Sequence, residues 1–510
     1  MLRLRRRGLA SINAEIRDGI MPAADAVSLV ARTTPTATGP QRSYRTVALI
    51  IACALFMEQM DATVLATALP TMGRDFGVPA TSMSSALTSY LIALAIFIPA
   101  SGSLADRFGS RTVFRAAISL FLIGSLLCGQ ATSLSFMIFA RFIQGLGGAM
   151  MIPIGRLVLL RSVAKEDMVS AMSWLIMPAL IGPIVGPPIG GFIVTYLDWR
   201  WIFYLNLPVG LLGLVLVTLF IGEVRADHPA RFDVSGFVLS GVSLGCMLFG
   251  FEMTSRPHEA YSGGALIVVG VVAGLFYIRH AHRREEPILD ISLMRIPSFR
   301  LSVIAGSLTR ITQGAQPFLL PLMLQLGFGM TAAASGTITV ATAIGSLMMK
   351  GLAPRVLRRF GFRQSLIVNG LIASVGYAVC GFFRPSWPVP VIFGTLLVCG
   401  FFMSFQFTAY NTIAYDEIPK ERMSAATGFY ATFQQLMLSV GICVGAATLH
   451  IGTLVTGGTK PTLPGFTLAF LVVTAISASA TIWNRRFVSD AGAELSGHEH
   501  KRLQPADAPR

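Results

Sequence analysis

Glu58 and Asp61 are the only charged residues between Arg45 and Arg74, in a stretch that is otherwise almost wholly apolar. Three residues apart, they share one face of any helix formed there. Carboxylates in hydrocarbon are costly unless they face a cavity or a partner, and by default they mark proton or ion pathways. A carboxyl group binds its proton more tightly when desolvated or beside another acid, and less tightly beside a cation. Such a pair can exchange a proton as its exposure changes. Arg141 stands in a second apolar stretch. Its guanidinium keeps its charge at every reachable pH, so it needs a carboxylate or backbone carbonyls. Arg310 is another cation in an apolar run, with no carboxylate deep in its own segment. It therefore faces an anionic group in a cavity, the acids at 58 and 61, or carbonyls near one end.

Long helices must position these groups. Hydrophobic residues make up 53% of the chain and charged residues 13%, with a mean hydropathy of +0.66, against about 25% charged in soluble proteins. A soluble globule is excluded. Uninterrupted apolar blocks such as Leu91 to Ala100 and Gly210 to Gly222 lie within stretches long enough for the ~20 residues that span a bilayer. The strict alternation of a membrane barrel is missing. The fold class expected is an all-α polytopic membrane protein of fourteen helices. Their centres fall near Ala54, Ile92, Leu122, Ile143, Ile181, Leu212, Ser243, Val269, Ala315, Ala341, Ser374, Val398, Leu438 and Val473.

The net charge of +15 would suggest nucleic acid in a soluble chain. Here topology accounts for it. With the N-terminus inside, 33 of the 40 Lys and Arg residues fall on the inner side, five (Arg74, Arg200, Arg256, Arg384 and Lys460) on the outer, and Arg141 and Arg310 within spans. That bias follows the positive-inside rule and predicts both termini in the cytoplasm. Residues 1–43 read as a cytoplasmic tail rather than a cleavable signal peptide, and residues 485–510 as a second tail. The six cysteines sit in spans without C-x-x-C spacing, so neither a disulfide framework, a metal site nor a cofactor is indicated. The histidines are mostly in loops and tails.

Asp106-Arg107-Phe108-Gly109-Ser110-Arg111 follows the second span, and Arg358-Arg359-Phe360-Gly361-Phe362-Arg363 follows the tenth. The fifth span carries Gly182, Gly186 and Gly190; the thirteenth carries Gly441 and Gly445. These repeats predict two six-helix bundles, 44–222 and 300–484, around a two-helix insertion at 223–299. Parallel repeats of this kind belong to transporters whose halves rock about a central site.

At these residues the chain resembles the major facilitator superfamily and, within it, the fourteen-helix drug:proton antiporters of the EmrB/QacA type. The resemblance runs from about Tyr44 to Trp483. It rests on Gly102-Ser-Leu-Ala-Asp106-Arg107-Phe-Gly109-Ser-Arg111, Arg141-Phe-Ile-Gln144-Gly145-Leu-Gly147-Gly148, Gly182-Pro183-Ile-Val-Gly186-Pro187-Pro188-Ile-Gly190-Gly191, Trp199 to Gly210, and Asp61-Ala-Thr63 with Ala68-Leu69-Pro70. It implies that Asp61 is the proton-binding acid, with Glu58 beside it, and that Arg141 faces the first helix near that acid. It implies that Asp106 contacts a helix N-terminus across the halves, where the macrodipole favours an anion, as part of a gate with Gly102, Arg107, Gly109 and Arg111. The second copy has Arg358 in place of Asp106 and is a weaker lock. Gly182, Pro183, Gly186, Pro187, Gly190 and Gly191 match the antiporter motif, associated with export.

In the second bundle, Arg310, Gln313, Gln316, Phe405, Gln406, Tyr410, Asn411, Phe433 and Gln434 mix polar, charged and aromatic character in apolar spans. That mixture suits a cavity for amphipathic or cationic compounds. The expectation is a proton-coupled antiporter of the bacterial inner membrane that exports small organic compounds or drugs by alternating access. Its partners are substrate, protons and lipid, not nucleic acid, with a periplasmic adaptor a further partner by analogy. An uptake permease on the same fold and a transport-inactive membrane sensor are the alternatives. An enzyme is not expected.

Overall fold

The computed structural model describes residues 44–162, 168–223, 225, 232–254, 260–419, 422–455 and 461–496. The expected tail 1–43, the loop at Arg256 and His258, Lys460 and the end of the second tail lie outside the described residues. Residues Met1–Thr46 and Val47–Arg510 form separate units; the second holds everything that follows.

A backbone in hydrocarbon must satisfy its own hydrogen bonds, and all regular structure among the described residues is helical. In order the helices are α1 (Tyr44–Asp75), α2 (Ala80–Phe108), α3 (Ser110–Gly129), α4 (Leu134–Ser162), α5 (Met168–Tyr196), α6 (Trp201–Phe220), α7 (Val234–Thr254), α8 (Ala260–Ala281), α9 (Pro297–Leu322), α10 (Ala332–Gly381), α11 (Val389–Ile413), α12 (Met423–Val455) and α13 (Leu463–Asn484). Eleven helices among the described residues are long and apolar enough to cross a membrane. Helix α10, at 50 residues, is more than twice the ~20 a bilayer needs, and it breaks at Gly361. With its two arms counted separately, and α5 and α9 added to the rest, the arrangement is compatible with fourteen spans. Every expected centre lies in a helix.

The breaks show the repeat in backbone angles. Gly77 (φ 67°) and Gly109 (φ 95°) follow α1 and α2; Gly329 (φ 71°) and Gly361 (φ 69°) follow α9 and the first arm of α10. From 77 to 329 and from 109 to 361 the separation is 252 positions in each case. A side chain at such φ is strained, so the chain turns at matching places in both halves.

Close helix crossings repeat as well. A Cβ on Gly182 would lie 3.0 Å from Gln59 Cβ, and one on Gly190 2.8 Å from Val64 O, while Gly186 backs onto Thr63. So α5 packs backbone to backbone on α1. In the second half Gly441 meets the Ile311 carbonyl and Gly314 the Leu438 carbonyl, pressing α12 on α9. Between the halves, Gly191 abuts Ala332, Gly336 abuts the Pro187 carbonyl, Thr195 Oγ1 accepts from Ala333 N at 2.9 Å and Gln325 Nε2 donates to Thr67 O at 3.0 Å. These contacts between the halves lie toward the end of the molecule at which α1 finishes, called the far end below.

Candidate transport site

Asp61 on α1 and Arg141 on α4 are buried, 4% and 1% exposed, and form an ion pair of 2.6 Å. Two more donors converge on the same carboxylate: Gln144 Nε2 at 2.9 Å and Asn206 Nδ2 from α6 at 2.8 Å. Ser125 on α3 accepts from both amides. The guanidinium also donates to Gln144 Oε1 at 2.6 Å and through Nε to Ala86 O of α2 at 3.3 Å, and lies 4.4 Å over the Tyr90 ring. One carboxylate thus gathers α1, α2, α3, α4 and α6. Gly145 and Gly147 make the approach: a Cβ on Gly145 would fall 2.6 Å from Tyr90 O and one on Gly147 2.5 Å from Phe121 N. The sequence alone assigns no role to Ser125, Gln144 or Asn206. The signal was there, in amides and a hydroxyl placed within apolar spans.

Glu58 is equally buried, at 4%, but it is not part of this pair. Its Oε2 meets no hydrogen-bond partner among the described residues.

A cavity of about 300 Å³ lies between the halves. Thr63, Ala66 and Thr67 of α1 and Pro183 and Pro187 of α5 face Gln313, Gln316, Pro317, Leu320 and Pro321 of α9, Thr339, Thr342, Ala343, Ser346, Leu347 and Lys350 of α10, and Met403, Ser404 and Phe407 of α11. Of the expected cavity residues, Gln313 and Gln316 are there. Arg310 lies one turn before Gln313, with Nη2 on Tyr430 Oη at 3.2 Å and Gln434 Oε1 at 3.4 Å. It does not meet the acids of α1.

The others do not line this cavity. Phe405 and Tyr410 are buried in the core of the second half with Leu366 and Ala409, and Tyr410 Oη donates to Asn484 Oδ1 at 2.7 Å. Gln406 Nε2 donates to Leu366 O at 3.0 Å, Asn411 Nδ2 to Phe407 O one turn back at 2.7 Å, and Phe433 stacks on Phe429 at 4.6 Å. Composition signalled polar atoms in α11 without telling which side of the helix they take. Lys350, assigned by sequence to the inner loop, is within α10 and lines the cavity.

At the loop from Gly102 to Arg111, the anion at the start of α3 is Glu223, just beyond α6. Its carboxylate accepts from Arg111 N at 3.1 Å and Thr112 Oγ1 at 2.5 Å, and stands where a side chain on Gly109 would be. The Arg111 Nε lies 3.8 Å from it. Asp106 is half-buried in the last turn of α2, and Arg107 is exposed. Thus Glu223, unforeseen from sequence, takes a dipole position of the kind expected for Asp106, though from just beyond the first bundle and not across the halves. At the far end Trp199 Nε1 donates to Asp75 at 2.6 Å, fastening the exit of α1 to the α5–α6 turn.

Comparison with known proteins agrees with the geometry. A profile described as Major Facilitator Superfamily matches residues 51–442. The chain is 35% identical over 415 residues to "Probable transport protein HsrA" of Haemophilus influenzae, covering 81% of this chain and 89% of that one. It is 35% identical over 455 residues to "Putative multidrug resistance protein MdtD" of Yersinia enterocolitica, covering 87% and 95%. Among solved structures, a D-xylose-proton symporter superposes with a TM-score of 0.63 at 16% identity, covering 88% of this chain and 98% of that one. The nucleoside transporter NupG gives 0.57 at 14%, covering 88% and 100%. At such identities the structures establish the fold alone. Profile, relatives and fold are those of a multi-pass membrane transporter rather than an enzyme, and the chain belongs to the Major Facilitator Superfamily, in its drug:proton antiporter family.

Proposed function

We propose that the protein exports small organic compounds across the bacterial inner membrane in exchange for protons, by alternating access between bundles 44–222 and 300–484, with 223–299 inserted and both termini cytoplasmic. The observation that carries this reading is the buried Asp61–Arg141 pair, one helix away from a cavity lined by both halves. Arg141, Gln144 and Asn206 donate to two carboxylate oxygens. A proton on Asp61 turns one acceptor into a donor, and a buried donor facing a donor is costly. The five helices then gain by shifting. The motion reaches the cavity along α1, which presents Thr63 and Thr67 to it and is gripped by the glycine face of α5. The multidrug name of the MdtD relative and the antiporter motif support export.

Transport into inverted vesicles holding the full chain tests the reading. Asp61→Asn keeps the shape and removes the titration, so substrate still binds while acceleration by an imposed pH gradient disappears. Full gradient-driven transport in this variant would send the proton elsewhere. Glu58→Gln separates recognition from coupling: a loss confined to some substrates assigns it to recognition, a general loss makes it a second proton site.

A further inference from the structure

The cavity has an asymmetry of charge. Among the described residues, Lys350 is the one charged side chain that lines it, and no carboxylate does so. Arg310 stands just behind. It is 3% exposed, its guanidinium lies 5.6 Å from the ring of the lining residue Phe407 and 4.8 Å from that of Tyr430, and its buried Nε meets no acceptor among the described residues. Its hydrogen-bond partners are the neutral Tyr430 and Gln434. Of the two acids of α1, Asp61 is held by Arg141, Gln144 and Asn206, and Glu58 is not among the residues that line the cavity.

A cationic compound entering here would meet like charge from Lys350 and Arg310, and the ring of Phe407 already faces a guanidinium. An anion would supply what both cations lack. The walls, Pro183, Pro187, Pro317, Leu320 and Met403 among them, suit an apolar body. We propose that the cavity selects amphipathic organic anions, with a carboxylate or sulfonate directed to Lys350 on the side toward Arg310 and the apolar part against the prolines and Phe407. The inference rests on the transport reading of this cavity. It also changes the driving force. A monoanion leaving for one entering proton moves two charges in the same electrical sense, so the membrane potential drives export together with the pH gradient, whereas a cation exchanged for one proton moves none.

The probes are naphthalene-2-sulfonate and 2-naphthyltrimethylammonium, alike in ring and opposite in permanent charge. Binding is measured on the purified full chain in detergent, and flux in proteoliposomes under an imposed pH gradient with or without a potassium diffusion potential. The sulfonate is expected to bind about tenfold or more tighter than the ammonium. Lys350→Gln and Arg310→Gln should each weaken the sulfonate by about tenfold, the worth of a charge-assisted contact, while Lys350→Arg retains most of the affinity. Sulfonate flux should rise with the potential. Equal binding of both probes, no binding of the sulfonate, or unchanged affinity in Lys350→Gln overturns the anion site. If the ammonium is the probe moved by the pH gradient, the anion site falls and the exporter stands. Lys350-dependent sulfonate binding without gradient-driven flux supports the site and removes the antiport reading instead.

Discussion

Asp61 has three nitrogen donors aimed at two oxygens, so each of its nearest side-chain partners offers a hydrogen that a carboxylate accepts. Removing one member of a buried ion pair strands the other, at a cost of about 3–5 kcal/mol, whereas removing both costs far less. Arg141→Gln is therefore expected to lower thermal stability in detergent by that order, and Asp61→Asn with Arg141→Gln to recover most of it without recovering transport. Recovery of transport together with stability would make the pair structural only. Arg141→Lys should insert normally yet couple poorly, because a point charge cannot serve Ala86 O, Gln144 and Asp61 at once as the planar fork does. Gradient-driven flux at the native rate in this variant would show that the fork is dispensable.

Among the elements, the inserted helices are fixed at both ends. At the far end the Glu252 carboxylate of α7 accepts from Thr88 of α2 at 2.7 Å and from Ser85. At the other, Tyr277 of α8 donates to Leu289 O at 2.7 Å and accepts from Leu289 N at 2.8 Å, leading the chain to Asp290. Burial pushes the Asp290 carboxyl up, but hydrogen bonds from Ser292 and Arg422 and the charge of Arg422 outweigh it, leaving it below the usual carboxylate value. A depressed folded-state value contributes stability above the unfolded value, near 4, that is lost as pH falls through the folded one. The thermal midpoint should thus drop as pH is lowered from about 5 to about 3, and drop less in Asp290→Asn. Equal acid sensitivity in both proteins would remove this contact from the account.

For the whole molecule, the charge bias and the helix order make one orientation testable. Tyr261, 95% exposed at the start of α8, lies outside and Arg284, just after its end, inside if both termini are cytoplasmic. In a cysteine-free background, an impermeant thiol reagent added outside intact cells should label Tyr261→Cys and spare Arg284→Cys. The reverse pattern would invert the topology and with it the direction assigned to transport. On α8, Val268, Leu275 and Phe276 are about 60% exposed, a face suited to lipid.

The sequence by itself determined the class of molecule, the placing of the helices and the ionisable residues within them. Each follows from local chemistry: apolar length sets a span, and a charge within one is conspicuous wherever it points. The glycine repeat was equally legible at Gly109 and Gly361, because a positive φ is a property of one residue. Which face each side chain takes was decided by tertiary structure alone. Phe405, Gln406 and Tyr410 turn into the second half while Ser404 and Phe407, their neighbours on α11, reach the cavity, since a step of about 100° per residue separates the sides of a helix and apolar sequence all round leaves the choice to packing. The convergence of Gln144 and Asn206 on Asp61, the seat of Glu223 at the start of α3 and the place of Lys350 in the cavity wall depend on contacts across 83, 112 or more residues of chain, which no local pattern encodes.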